Sequence, residues 1–262
     1  MMMKIVRYII PSLALILLCS INTPREWKQN SQKGYTLHYK GDDESETKRY
    51  RELIDKGVGS VTFFTKSSFA KEFKVYVHPS RAALDNQWQT DWNMPDFKSH
   101  CWMVASGTAS KLDLLSPLKW KTEACEHTYA DRDKTQKVIT HELFHVYHGQ
   151  HNPSPDFSQT EGIDWFVEGF AAYASGQCDK DRLDVVKKSV LDKTSPSSLD
   201  AFWTGNLRYG WSGSMAMFID KKYGREKILS LLVHTTKAEI LGSLKTNEAD
   251  LLKEWADYIV GS

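Results

Sequence analysis

Cysteine is scarce, with four residues in 262, too few to build a disulfide scaffold in place of a core. No two of them have the Cys-x-x-Cys spacing of a thiolate zinc site. No charge of one sign predominates: 34 Lys and Arg face 33 Asp and Glu, so no strong overall field is aimed at nucleic acid or at an acidic substrate. Glycine-rich phosphate loops of the GxGxxG or P-loop type are missing, as are internal repeats and low-complexity linkers. What remains is a chain 41% hydrophobic with 9 Trp, 11 Tyr and 11 Phe. That is enough to fill one large domain or two small lobes without staples.

The N-terminus reads as an address. Lys4 and Arg7 precede an uncharged apolar run over residues 8–19, shorter than the about 20 residues of a comfortable membrane span and suited to a secretory signal. Leu17-Leu18-Cys19-Ser20 resembles a bacterial lipobox, although Leu18 stands where a small residue is usual. Lipid attachment at Cys19, signal cleavage and an uncleaved membrane anchor are therefore all open. The protein is expected to be exported and extracytoplasmic, either secreted or membrane-anchored. In an oxidising compartment Cys101, Cys125 and Cys178 can form one disulfide and leave one thiol, with three pairings open.

Residues 1–20 thus stand apart from an N-terminal α/β lobe at 25–130 and a helical lobe at 131–262. Period-two alternation predicts a strand over 34–40, and helical spacing of Tyr50, Leu53, Ile54, Val58, Val61 and Phe64 predicts a helix over 44–66. Further strands are predicted at 73–78, 101–105 and 111–115, with Gly107 between the last two, and a helix at 80–92. No convincing strand follows residue 131. The fold class is α+β, with a small mixed sheet in the first lobe and helices in the second.

His141-Glu142-Leu143-Phe144-His145 supplies an HExxH motif. Asp131 or Asp133 can cap the start of its helix, Gly149 can end it, and Asn152-Pro153 stops continuation. One helical turn separates the two imidazoles by about 6 Å along the axis, so both can reach one metal ion. Glu142 points about 100° away from His141, which sets it beside the ion as a base for its water.

A catalytic zinc needs a third protein ligand. Glu168 is the best candidate: it lies in the helical pattern Asp164-Trp165-Phe166-Val167-Glu168-Gly169-Phe170-Ala171-Ala172-Tyr173. Ala171 and Ala172 are expected to let this helix approach the histidine helix. An isolated acid among such apolar neighbours costs several kcal/mol, on the order of the penalty for a buried charge, unless paired or metal-bound. The rival is His151, ten positions after His141, where metzincins place a third histidine with Met215 or Met217 as a Met-turn. That pattern wants glycine where this chain has His148. His148 is assigned to the carbonyls of the helix end, and His38, His78, His100, His127 and His234 to ordinary polar roles. Trp165, Trp203 and Trp211 are assigned to core packing rather than to a groove.

The HExxH motif followed by Glu168 within Trp-Phe-Val-Glu-Gly-Phe-Ala-Ala-Tyr resembles the gluzincin metallopeptidases, in particular small peptidase-MA-like exported proteins related to thermolysin and the aminopeptidases. The specific motifs cover residues 138–175. The resemblance implies one Zn2+ held by His141, His145 and Glu168, Glu142 as general base, and a cleft between sheet lobe and helical lobe. By the same resemblance Tyr209, three residues before Ser212, would hydrogen-bond the oxyanion. The acidic Gly-x-Met-Glu-Asn motif of the aminopeptidases has no counterpart at 105–110, so an endopeptidase acting on a peptide or protein is favoured. Its contrast is an exported binding protein that keeps the scaffold without activity, against which the retained Glu142 argues.

Overall fold

The computed structural model describes residues 26–261. The address segment and Cys19 lie outside the described residues. Among those described, no helix is long and apolar enough to cross a membrane.

The N-terminal part is a five-stranded mixed sheet: β1 (Lys28–Gln32), β2 (Tyr35–Tyr39), β3 (Phe73–His78), β4 (Ala105–Thr108) and β5 (Lys111–Leu115), in the order β1-β2-β3-β5-β4. The β2–β3 and β3–β5 pairs are parallel and the two outer pairs antiparallel. Helices α1 (Thr47–Thr65) and α2 (Arg81–Asp91) make the parallel crossovers. Leu37, Val75, Val77, Leu112 and Leu114 are buried in the sheet. The polar strand β1 shows no alternation and was not predicted. It forms because Gly34, at φ +92°, turns the chain back onto β2.

The remainder is helical: α3 (Trp120–Glu123), α4 (Arg132–His151), α5 (Asp164–Ala174), α6 (Lys180–Leu191), α7 (Arg208–Tyr223), α8 (Arg225–Ser230), α9 (Lys237–Leu244) and α10 (Glu248–Gly261). The mixed sheet followed by helices is the α+β layout read from the sequence. One continuous apolar core joins both parts: Phe64 of α1, Phe144 of α4 and Phe170 of α5 meet edge to face at 5.4–5.9 Å.

One strand boundary differs from expectation. The strand predicted at 101–105 starts only at Ala105 and runs through Gly107. Its first residues are held as a turn, because the Arg81 guanidinium donates to the carbonyls of His100, Cys101 and Met103. Of the three cysteine pairings, the structure has Cys101–Cys125, and Cys178 is the free thiol. The bridge closes a loop over 24 positions, so replacing both cysteines by serine should cost about 3 kcal/mol of stability. Urea unfolding of the double variant beside the oxidised parent checks this.

Candidate metal centre

Helix α4 is built to carry its motif buried. The Asp131 carboxylate accepts from the Lys134 N–H at 3.0 Å and starts the helix. The helix continues two residues past Gly149 to His151 and stops at Asn152, whose side chain donates to the carbonyls of Leu232 and His234. Between these ends, His141 and His145 are buried while Glu142 is partly open.

His141 Nε2 lies 3.0 Å from His145 Nε2, and the Glu168 carboxylate lies 3.3 Å and 3.5 Å from the two. These three are the group among the described residues whose donor atoms could converge on one metal ion. Bonds of about 2.0–2.1 Å at tetrahedral angles require donors about 3.3–3.4 Å apart, so the triangle fits an ion of zinc size. Glu168 keeps 26% of its side chain exposed, toward a cleft of about 760 Å3 that also admits Glu142 and Tyr209. Both imidazole Nδ1 atoms are buried without a partner among the described residues. Among the described residues no side chain holds either ring from behind, where a ligating histidine ordinarily has a partner.

The electrostatics follow from this crowding. Burial raises the Glu142 pKa, against the pull of the two imidazoles and the Gly107 N–H. Burial opposes the charged form of His145, yet the adjacent Glu168 carboxylate raises its pKa overall. Burial also pushes Glu168 upward, but the charges and hydrogen bonds of His145 and His141 hold it well below the ordinary carboxylate range. Tyr209, whose ring is 5.9 Å from His141, is kept protonated by burial and by the nearby Glu168 and Glu142 charges. It can only donate or accept as a neutral hydroxyl.

Other residues singled out in the sequence fall elsewhere. His151 donates from Nδ1 to the Tyr147 carbonyl and stacks on that ring, outside the donor triangle. His148 does lie in the last turn of α4, but its ring turns into the core. It is fully buried against Phe157, Phe166 and Phe170, close to the Leu232 backbone, with no well-formed hydrogen bond to either ring nitrogen among the described residues. Ala172 packs on Gly213 of α7, and Phe144 meets Phe170 across the α4–α5 contact. Trp165 is core, Trp211 donates to Ser189 Oγ, and Trp203 lines the cleft beside Tyr209.

Two glycines were missed. A Cβ at Gly107 of β4 would sit 2.3 Å from the Glu142 carbonyl oxygen and 2.9 Å from His145 Cβ. A Cβ at Gly169 of α5 would sit 2.3 Å from the Ser212 carbonyl oxygen of α7. Backbone occupies both places, so only glycine lets these elements close around the site. Neither position carries a local signal, because the clash is with residues far along the chain.

Gly107→Ala should therefore destabilise the protein by about 1–3 kcal/mol in urea unfolding, as overpacking does. Burial holds His148 neutral, with its pKa lowered to about 3. Unfolded, the same imidazole titrates near 6.5, so acid favours the unfolded chain. Stability should be unaffected by this group above about pH 6.5 and fall below it, by at most about 1.4 kcal/mol per pH unit. Unfolding measured from pH 7 to pH 4 should show a shallower decline in His148→Leu. No protein-family model matches this chain, and no curated protein matches it.

Proposed function

We propose that the protein is a metal-dependent peptidase, a hydrolase holding one zinc ion through His141, His145 and Glu168. The observation that carries this reading is the convergence of three donor atoms within 3.0–3.5 Å beside a partly buried glutamate, at the floor of an open cleft. Two imidazoles and one carboxylate leave a position free for water or substrate, as catalytic zinc sites do and closed structural sites do not. Zinc bound there would supply Lewis acidity, polarising a peptide carbonyl and bringing the pKa of a water toward about 7.

The chain's own groups cover the remaining steps. Glu142, next to the triangle and raised in pKa by burial, accepts the proton of the attacking water and delivers it to the departing amine. Tyr209, protonated and facing His141 across 5.9 Å, donates to the oxygen that gains charge during attack.

Substrate orientation is assigned to the outer edge of β4. The Leu115 N–H bonds to the Val104 carbonyl and the Ala109 N–H bonds outward to the Pro155 carbonyl. By alternation, Ala105 and Gly107 also turn their peptide groups outward, toward the cleft, and because the Gly107 N–H is met by Glu142 it is Ala105 that is left to meet a substrate. An extended peptide can hydrogen-bond there by strand addition. No carboxylate on β4 demands a free amino terminus, which supports internal cleavage. The Cys101–Cys125 bridge supports an exported location, with residues 1–20 as secretory signal or anchor.

Purified protein should contain stoichiometric zinc by elemental analysis and cleave members of a mixed peptide library. Chelation should abolish cleavage and added zinc restore it. Glu142→Gln should keep the metal and lose at least about a thousandfold in kcat, the scale on which general bases act. Full proteolysis by that variant, or a metal-free protein that still cleaves, sinks the proposal.

A further inference from the structure

The chain is close to neutral, but its cleft is not uniform. Arg182 of α6 and Arg208, the first residue of α7, line it on either side of Tyr209. Each guanidinium carbon lies 5.6 Å from the Tyr209 ring centroid. Arg208 is further walled by Trp102 at 4.1 Å and Trp203 at 5.5 Å. Neither arginine side chain makes an ion pair or hydrogen bond among the described residues, and Arg182 Nη1 and Arg208 Nε are shielded from solvent without any partner. Asp179, the acid whose charge Arg182 feels, is already engaged by Lys137 at 3.3 Å. Arg81 and Arg225, in contrast, spend their donors on carbonyls and on the Asp220 carboxylate.

Shielded N–H groups left unpaired carry a free-energy cost, which an arriving anion removes. The guanidinium fork matches a carboxylate in plane and spacing. The first turn of α7, with no side-chain cap, adds the positive end of a sixteen-residue helix dipole. Aromatic walls around Arg208 exclude water and strengthen any charge pair formed there.

We infer that Arg182 and Arg208 form a carboxylate-recognition subsite of the peptidase cleft. The substrate is accordingly a peptide carrying a carboxylate close to the bond that is cut. From His141 through Tyr209 to either guanidinium is at most about 12 Å. An extended chain advances about 3.3–3.6 Å per residue, so the carboxylate belongs within about three residues of the cleaved bond. It can be an acidic side chain or the peptide's own C-terminal group, which share one chemistry. The inference rests on the peptidase reading above.

Matched peptides carrying Glu or Gln at each position near the cleaved bond, each as free acid and as C-terminal amide, separate the two sources. The wild type should cleave the carboxylate-bearing member of one such pair with about tenfold or higher kcat/KM. In an Arg182→Gln, Arg208→Gln double variant that ratio should fall to about one. Fluorescence anisotropy of the same peptides on Glu142→Gln protein gives a readout independent of cleavage. The preference should appear there as a tighter Kd that weakens with added salt. Equal cleavage and binding of both members, or a preference kept in the double variant, overturns the subsite while leaving the peptidase reading intact. Carboxylate-dependent binding without any hydrolysis supports the subsite and overturns the peptidase reading. Should the double variant fail to fold, the single Arg182→Gln and Arg208→Gln variants take its place: each should lower the ratio, and an unchanged ratio in both overturns the subsite.

Discussion

Two imidazole nitrogens 3.0 Å apart, with a carboxylate oxygen 3.3–3.5 Å from both, cannot all present lone pairs to one another without a cation among them. A proton shared with Glu168 or a metal ion meets that demand, and the surrounding structure is arranged to keep the demand in place. His141 and His145 are held by a helix pinned at both ends, by Asp131 and Asn152. Glu168 is delivered by a second helix locked against a third where Gly169 meets Ser212. The two imidazoles are buried in place, and Glu168 alone of the three opens to the cleft.

The sheet enters this arrangement through one strand. β4 reaches α4 where Gly107 lies against Glu142 and His145, so the motif is clasped between a strand edge on one side and the α5–α7 pair on the other. Phe64, Phe144 and Phe170 continue the contact on the far side of α4 from one lobe to the other. The cleft is thus a gap left between elements that touch below it, and its two walls differ in character. One offers outward backbone of β4 and the other offers Tyr209 with two guanidinium groups that have no ion pair among the described residues.

Features set by neighbours in sequence were legible. Asp131 capping, the one-turn spacing of the two histidines and an acid inside an apolar helical pattern are local, and the structure brings His141, His145 and Glu168 together. Features set by distant segments were not. Gly107 looks like a loop residue until α4 lies on it, and nothing next to His148 in sequence shows that its ring, in the last turn of α4, will be buried against Phe157, Phe166 and Phe170. The strand predicted at 101–105 failed because Arg81, far along the chain, claims its carbonyls. The polar strand β1 has no pattern of its own and exists only as the partner of β2. The subsite arginines come from two helices, and Trp102 from a loop before β4, so no motif could have joined them.

Sheet borders are ordinarily where stray chains attach and aggregates begin. β1 and β4 are the two borders here, and on β4 the Gly107 N–H is taken by Glu142 while just past its end the Ala109 N–H is taken by Pro155. What is left around Ala105 is a ledge about one residue long, enough to orient a visiting strand and too short to propagate a growing one.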